Sequence, residues 1–400
     1  MTMDEANRPV VLLVAHQYWP TPGSATQVMS ALVRELRQRR FPVEVATTGD
    51  PVDGRRILEG PYGERVHLVT GAESSGASLK RLADLAAFAW GAWRLGRRVR
   101  PGVVVSDPPP TAAWAASRVA RGRRVPFIFY FSDSWAQVTE DSDSVFARAF
   151  NGLASALEAS VLRSSDAAIA VTAELGDVAS RIGAANVLTV PNGVDTDVFT
   201  DEGPSWYPTA ERRPFLLYAG KAGLIHGGEV FALGAETLWR EGADFDCVYM
   251  GYGAASGPVE EVAGRWPDRL HLVPNQPAST VAAAYRSSIG ALSSLLPLPN
   301  YTHARLMKAL SGMACGSPAV YAGAGDLAEV IAANDLGFVN PWSAEGAAAS
   351  MRAALDAAGK PESATRRAAI RRFAREHFDE RQGAARVVDA IESALASKGQ

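Results

Sequence analysis

Four hundred residues exceed the size at which a single hydrophobic core usually keeps growing, so two domains are expected. With 47% hydrophobic residues, 21% charged residues and a net charge of −3, the chain has an ordinary globular balance and no bulk attraction for nucleic acid. The two cysteines, Cys247 and Cys315, lie in apolar stretches without a second cysteine or a histidine at metal-ligand spacing, which argues against a disulfide framework or zinc site. Buried thiols in a reducing cytoplasm are the expectation. Asp4 and Glu5 lead directly into the apolar stretch Val10–Ala15, too brief for a signal peptide or a membrane span.

Along the chain, short β-branched runs alternate with longer segments of helical period, the pattern of parallel sheets covered by helices on both faces. In the first half the strands are expected at Val10–Ala15, Val43–Thr47, Val66–Val69, Val103–Val105, Pro126–Phe131, Ala168–Val171 and Val187–Val190. Behind Ser24, a credible N-cap, Ala25, Val28, Leu32 and Leu36 recur at helical spacing, and Arg37–Arg40 suits a helix C-terminus. The stretch Leu79–Leu95 sets Leu79, Leu82, Ala86, Trp90 and Trp93 on one face and runs into Arg94, Arg97, Arg98 and Arg100. A helix covering the sheet is the commoner use of such a stripe, and contact with an anionic membrane is the alternative. The second half restarts the alternation at Phe215–Ala219, Cys247–Met250, Leu270–Val273, Gly290–Ser293 and Pro318–Tyr321. Between the halves, Thr200–Pro214 is rich in proline, glycine and charge and has neither period, so the interdomain linker is placed there.

Ligands of open parallel sheets bind beyond the carboxyl ends of the strands, so the loops that follow the strands carry the candidate chemistry. The first is His16-Gln17-Tyr18-Trp19-Pro20-Thr21-Pro22-Gly23-Ser24, unusually loaded with aromatic and polar side chains for a simple turn and ending at a helix N-terminus. Asp133 follows an aromatic strand, where its carboxylate serves either a ligand or a local turn; the aromatic setting favours a ligand. Asp141-Ser142-Asp143 has the spacing of a metal-binding Asp-x-Asp, but the helical stretch behind it makes capping the better reading. Gly251-Tyr252-Gly253-Ala254-Ala255-Ser256-Gly257 is a phosphate-cradling loop whose third glycine is misplaced for a dinucleotide fingerprint. Lysines are few, yet Lys221 closes a strand beside Gly220 and Lys308 sits in an otherwise apolar helix, where a cation calls for an anion or a path to water. Phosphate contact is the preferred reading for both.

Taken in order and spacing, QYWPTPGSATQV, SDPPP at Ser106–Pro110, YFSDSWAQ, VPNGVDTDVF at Val190–Phe199, YAGKAGLIHGGE at Tyr218–Glu229, HLVPNQP at His271–Pro277 and MACGSPAV at Met313–Val320 resemble the GT4 family of retaining glycosyltransferases, particularly its bacterial surface-polysaccharide subgroup. The resemblance implies an α/β chain of the GT-B class: two Rossmann-like, doubly wound parallel-sheet domains facing a cleft. Residues 1–200 would bind the acceptor and 216–375 the nucleotide sugar, with 201–215 as linker and 376–400 as a C-terminal helix packing back on the first domain. The donor is expected to be a nucleoside diphosphate sugar, UDP-sugar favoured, with no metal and no further cofactor; the acceptor, a secondary-metabolite scaffold or a lipid-linked saccharide. By the same resemblance Asp133, Lys221, Lys308 and His303 stand near the reacting centre. Gly23, Gly220, His226, Gly251, Tyr252, Gly253, Val273, Pro274, Ser311, Gly325 and Glu329 line the donor, within which His271–Pro277 flank the base and Gly323–Ile331 supply a phosphate-side loop and helix. His16, Tyr18, Trp19 and Trp135 meet the acceptor.

One departure stands out. The family's two glutamates, eight residues apart, fall here on His303 and Ser311, and a phosphate-binding lysine falls on His226. A serine makes one hydrogen bond to a ribose where a carboxylate accepts two. A GT-B sugar-nucleotide epimerase, a non-catalytic nucleotide-sugar binder and a nicotinamide-dependent oxidoreductase are the rival readings.

Overall fold

A computed structural model describes residues 8–21, 23–71, 79–134, 145–220, 226–251, 257–297 and 304–398. The chain forms two compact units, residues 1–191 with 381–400, and residues 192–380.

The first unit is built on eight strands: β1 (Val11–Val14), β2 (Val43–Thr48), β3 (Ile57–Glu59), β4 (Arg65–Thr70), β5 (Val103–Ser106), β6 (Phe127–Phe131), β7 (Ala167–Ala170) and β8 (Val187–Thr189). Their order is β3-β4-β2-β1-β5-β6-β7-β8, and every pairing is parallel except β3 with β4. Its helices are α1 (Ser24–Gln38), α2 (Leu79–Val99), α3 (Pro110–Arg123), α4 (Val145–Ser164) and α5 (Ala173–Ile182). From β1 the chain winds to one side through β2 and then to the other through β5. The β1/β5 boundary is therefore the topological switch point.

The second unit repeats the device with β9 (Phe215–Ala219), β10 (Asp246–Met250), β11 (Leu270–Val273), β12 (Gly290–Ser294), β13 (Ala319–Ala322) and β14 (Gly337–Asn340), in the order β11-β10-β9-β12-β13-β14 and wholly parallel. Here the switch lies between β9 and β12. Its helices are α6 (Glu229–Arg240), α7 (Gly257–Arg265), α8 (Ala278–Ser287), α9 (Met307–Ala314), α10 (Asp326–Ala333), α11 (Ala344–Ala358) and α12 (Ser363–His377). A last helix, α13 (Glu380–Lys398), belongs to the first unit from Arg381 onward and buries Val387, Val388 and Ile391 in that unit's core.

Period-two alternation distributes each strand's side chains between two cores. In β1, Val11 and Leu13 join one apolar cluster while Leu12 and Val14 join the other. In β9, Phe215, Leu217 and Ala219 face one layer while Leu216 and Tyr218 face the opposite one. Truncating one of these leucines to alanine would cost about 2–5 kcal/mol.

Three sequence expectations change. The cap of α1 is Gly23, not Ser24, and no side chain bonds its first turn. The segment Thr200–Pro214 falls within the second unit, where Arg286 donates to the carbonyls of Thr200 and Pro204 at 3.0 and 2.9 Å and the rings of Trp206 and Tyr207 pack edge-on to Phe215. Most consequentially, α2 covers the sheet with the face opposite to the one its aromatic stripe suggests. Leu85, Phe88, Ala92 and Leu95 are buried, whereas Leu82 and Trp90 are 44% and 58% exposed. The cause is glycine. A Cβ at Gly91 would fall 2.9 Å from Val69 and one at Gly96 would fall 2.7 Å from Val119, so only the glycine side of the helix can approach this closely.

Candidate functional site

In the second unit the carboxyl ends of β9, β10 and β11 form a stepped edge. Gly220 donates its N–H to the carbonyl of Met250 at 2.8 Å, and Gly251 donates to that of Val273 at 3.0 Å. Gly220 and Gly251 have φ of 110° and 129°, and a Cβ on Gly251 would sit 3.2 Å from the Cα and N of Gly220. Both positions therefore require glycine, and together they leave a bare backbone ledge of the kind a phosphate can approach. Val273 is half-buried at the end of β11, with Pro274 exposed beyond it.

Lys308 overhangs this ledge from the first turn of α9. Its Cε would be 3.9 Å from a Cβ on Gly220, and its Nζ lies 4.9 Å from the Tyr218 ring centroid. Burial lowers its pKa to about 8. His226 lies near enough for the Lys308 charge to act on it: burial first, and then that charge, lower its pKa to about 4. Its buried Nδ1 has no hydrogen-bond partner. The two glycines after it hold the loop: Trp342 Nε1 donates to the Gly227 carbonyl at 3.0 Å, Tyr249 Oη donates to that of Gly228 at 2.8 Å, and a Cβ on Gly228 would strike the Tyr218 ring. From Gly228 starts α6, whose N-cap makes no side-chain hydrogen bond. A buried cation, a neutral imidazole, a glycine ledge and a helix N-terminus thus converge at the switch point of this sheet. That combination suits an anionic ligand.

Elsewhere in the unit, Ser311 is buried one turn beyond Lys308 on α9. Gly325, at φ 101°, is the N-cap of α10 without a side-chain cap, and Glu329 is exposed with its N–H donated to the Gly325 carbonyl. Lys221, Tyr252, Gly253 and His303, like Trp135 and the Asp141–Asp143 stretch of the first unit, lie outside the described residues.

At the switch point of the first unit, the His16 N–H donates to Asp107 Oδ1 at 3.2 Å, and the His16 carbonyl accepts from Thr48 Oγ1 at 2.9 Å. The imidazole packs edge-on to Phe88, with centroids 5.2 Å apart. Asp107 is buried, and desolvation raises its pKa to about 8; the hydrogen bonds from its own N–H and that of His16 oppose the rise, while nearby Asp133 adds to it. Asp133 keeps accessible surface at the end of β6, yet crowding by surrounding protein raises its pKa too. Trp19 is half-buried against the core and Gly23 is exposed at the start of α1. Tyr18 is fully buried, its hydroxyl donated to Glu64 Oε1 at 2.6 Å. Its ring serves the core instead of facing an acceptor.

Two members of these constellations escaped sequence reading. Asp107 lies inside the SDPPP segment, and its signal was a carboxylate placed at a strand's carboxyl end in an otherwise apolar setting. Tyr218, the aromatic floor beneath Lys308, looked like an ordinary strand residue. Among the described residues no group of three or more His, Cys, Asp or Glu side chains is placed to hold a metal, and no helix is long and apolar enough to cross a membrane.

Residues 25–198 match the family model for Glycosyltransferase Family 4. Over this segment the chain is similar to that family. A curated relative, D-inositol 3-phosphate glycosyltransferase of Xylanimonas cellulosilytica, is 29% identical over 194 residues, a match that covers 44% of this chain and 44% of the relative. The chain thus spans less than half the length of the curated relative it matches. Among solved structures, sucrose-phosphate synthase from Thermosynechococcus elongatus superposes with a TM-score of 0.72 at 15% identity, covering 98% of this chain and 100% of that one. Anabaena HepE in complex with UDP-glucose gives a TM-score of 0.68 at 14% identity, covering 96% and 100%. At such identities the likeness is one of fold, two parallel-sheet α/β domains of the GT-B class.

Proposed function

We propose that the chain is a retaining glycosyltransferase that moves a sugar from a nucleoside diphosphate donor, UDP-sugar favoured, to an acceptor hydroxyl on a secondary-metabolite scaffold or a lipid-linked saccharide. The observation that carries this reading is Lys308, a buried cation over the Gly220–Gly251 ledge beside a neutral His226. The diphosphate would rest on the ledge, with Lys308, Lys221 and the α6 N-terminus offsetting the charge that grows on it as the sugar departs; such electrostatic stabilisation is usually the largest catalytic contribution. His226 would donate one hydrogen bond to a phosphate oxygen without adding charge. Val273 and Pro274 would flank the base, Ser311 the ribose, and Gly325 with Glu329 the phosphate side; by the family resemblance His303 would serve the donor sugar. In the first unit Asp133 would orient the acceptor hydroxyl, on a floor made by the His16 loop and Asp107, with Trp19 and Trp135 against the acceptor body. The complex of Anabaena HepE with UDP-glucose, the match of residues 25–198 to the family-4 model and the position of both constellations at switch points support this assignment.

The test is a thermal-shift and calorimetric panel of nucleoside diphosphates and their sugars, followed by product analysis of the donor that binds. Stabilisation by UDP and its sugars, with anomer-retaining transfer to an added acceptor, is the expected result. If no nucleotide stabilises the protein the donor site is misassigned; if donor is isomerised without any acceptor, epimerisation replaces transfer.

A further inference from the structure

The first unit carries a largely exposed aromatic and basic face that plays no part in the proposed chemistry. On α2, Leu82, Ala86, Trp90 and Arg97 are exposed at four- to seven-residue spacing, and Trp93, between the last two, is half-buried at the edge of the core. Trp90 and Trp93 stack with centroids 4.9 Å apart, and the Arg97 guanidinium lies 4.9 Å from the Trp93 centroid. The neighbouring α3 continues the pattern. Trp114 is 37% exposed, with the Arg118 guanidinium 4.8 Å from its ring centroid. Arg123 Nη2 donates to the Arg97 carbonyl at 2.9 Å, which ties the two basic helix ends together. Arg94, Arg97, Arg98, Arg118 and Arg121 form no ion pair among the described residues.

We propose that this face docks the protein on the surface of a bilayer containing anionic lipid. The exposed indoles of Trp90 and Trp114, the first stacked on half-buried Trp93, each present an apolar body with one polar N–H, the chemistry that settles at the level of lipid headgroups. The guanidinium groups beside them match phosphate oxygens and stay charged at any physiological pH. The chain's net charge is −3, so this concentration of arginine is local to the face and no consequence of composition. A second copy of the chain fits poorly, because a symmetric contact would press the same arginines together. Since no described helix can cross a membrane, the helices would lie on the bilayer, with the tryptophans reaching into its headgroup layer. The donor site of the second unit plays no part in this assignment.

Vesicle flotation of the full chain tests it, using phosphatidylcholine alone and phosphatidylcholine mixed with phosphatidylglycerol, at low and raised salt. Binding should favour the mixed vesicles and weaken with salt. Trp90→Ser with Trp93→Ser, and Arg94→Gln with Arg97→Gln and Arg98→Gln, should each lower the bound fraction on the order of tenfold. Leu233→Ser, at an exposed site on the second unit, should bind like the parent chain. Thermal melts establish that each variant is folded. Equal binding to both vesicle types, no binding at all, or folded variants that bind as the parent does would overturn the proposal. So would a dimer in solution that the Trp90 and Trp93 changes dissociate.

Discussion

Lys308 Nζ and the Tyr218 ring centroid are 4.9 Å apart, an ammonium held over an aromatic face at a buried strand end. The ring offers partial compensation for a cation removed from water, worth on the order of 0.5–2 kcal/mol. It does not restore the full solvation, and burial lowers the pKa from 10.5 to about 8. Two opposite pH slopes follow. The folded state binds fewer protons than the unfolded state between pH 8 and 10.5, so the stability of the ligand-free protein rises with pH across that window. Affinity for UDP should fall over the same window, because the cation that receives the diphosphate is being lost. Calorimetric titration at increasing pH reads the second slope. Lys308→Arg should flatten it, and Lys308→Met should lower affinity on the order of a hundredfold at neutral pH. Unchanged UDP affinity in folded Lys308→Met would remove the lysine from the site.

Gly251 and Gly220 offer a backbone test. Alanine at Gly251 would combine a φ of 129° with a Cβ 3.2 Å from the Gly220 backbone, so one of the two strand ends must move. Such strain costs about 1–3 kcal/mol. The expected outcome for Gly251→Ala is a melting temperature lower by several degrees, with donor affinity reduced by more than the global stability loss explains. Gly264→Ala is the control, since a Cβ there meets nothing within 4 Å and the helix interior favours alanine. If Gly251→Ala melts and binds like the parent, the ledge is not rigid.

How far the sequence revealed these features depends on the range of the forces involved. Strands such as β1 and β9 announce themselves because burial on both faces demands a continuous apolar run. The short β3, antiparallel and largely exposed, and β14, half-buried throughout, lack that demand and gave no signal. The face of α2 was misread because hydrophobicity ranked its tryptophans above its glycines, whereas close approach of helix to sheet is decided by Gly91 and Gly96. Site residues followed the same division. Lys308 was conspicuous as a charge in an apolar helix, but Asp107 signals itself in sequence only by its place at a strand's end, and its role emerges when folding sets it beside the His16 N–H and Asp133, residues far apart in the chain.

His226 should make the protein acid-sensitive. Its pKa is about 4 in the folded chain against an ordinary 6.5, so as pH falls through that interval the unfolded state takes up a proton that the folded state refuses. Stability is then lost between pH 6.5 and 4, by on the order of 2 kcal/mol once its partial exposure is allowed for. Urea denaturation of the parent and of His226→Gln at stepped pH checks this. The glutamine variant should lose less stability on acidification, and two curves that stay parallel would show the imidazole to be solvated.

Asp107 predicts the contrary slope at higher pH. With a folded pKa of about 8 against an ordinary 3.8, the native chain keeps a carboxyl proton between pH 4 and 8 that the unfolded chain has released. The native state therefore binds the extra proton, and stability falls as pH rises through that window, by up to about 1.4 kcal/mol per pH unit. Asparagine keeps an oxygen to accept the His16 N–H and cannot ionise. Asp107→Asn should accordingly match the parent near pH 4 and exceed it by a few kcal/mol at pH 8, read as a higher urea midpoint. Acceptor handling supplies an independent readout: if the proton on Asp107 helps set the His16 loop, transfer by the parent should decline more steeply above pH 8 than that of Asp107→Asn, whose remaining loss follows Lys308 alone. A variant less stable than the parent at pH 8 would mean that the buried group is carboxylate, held by partners stronger than the backbone N–H groups of His16 and Asp107.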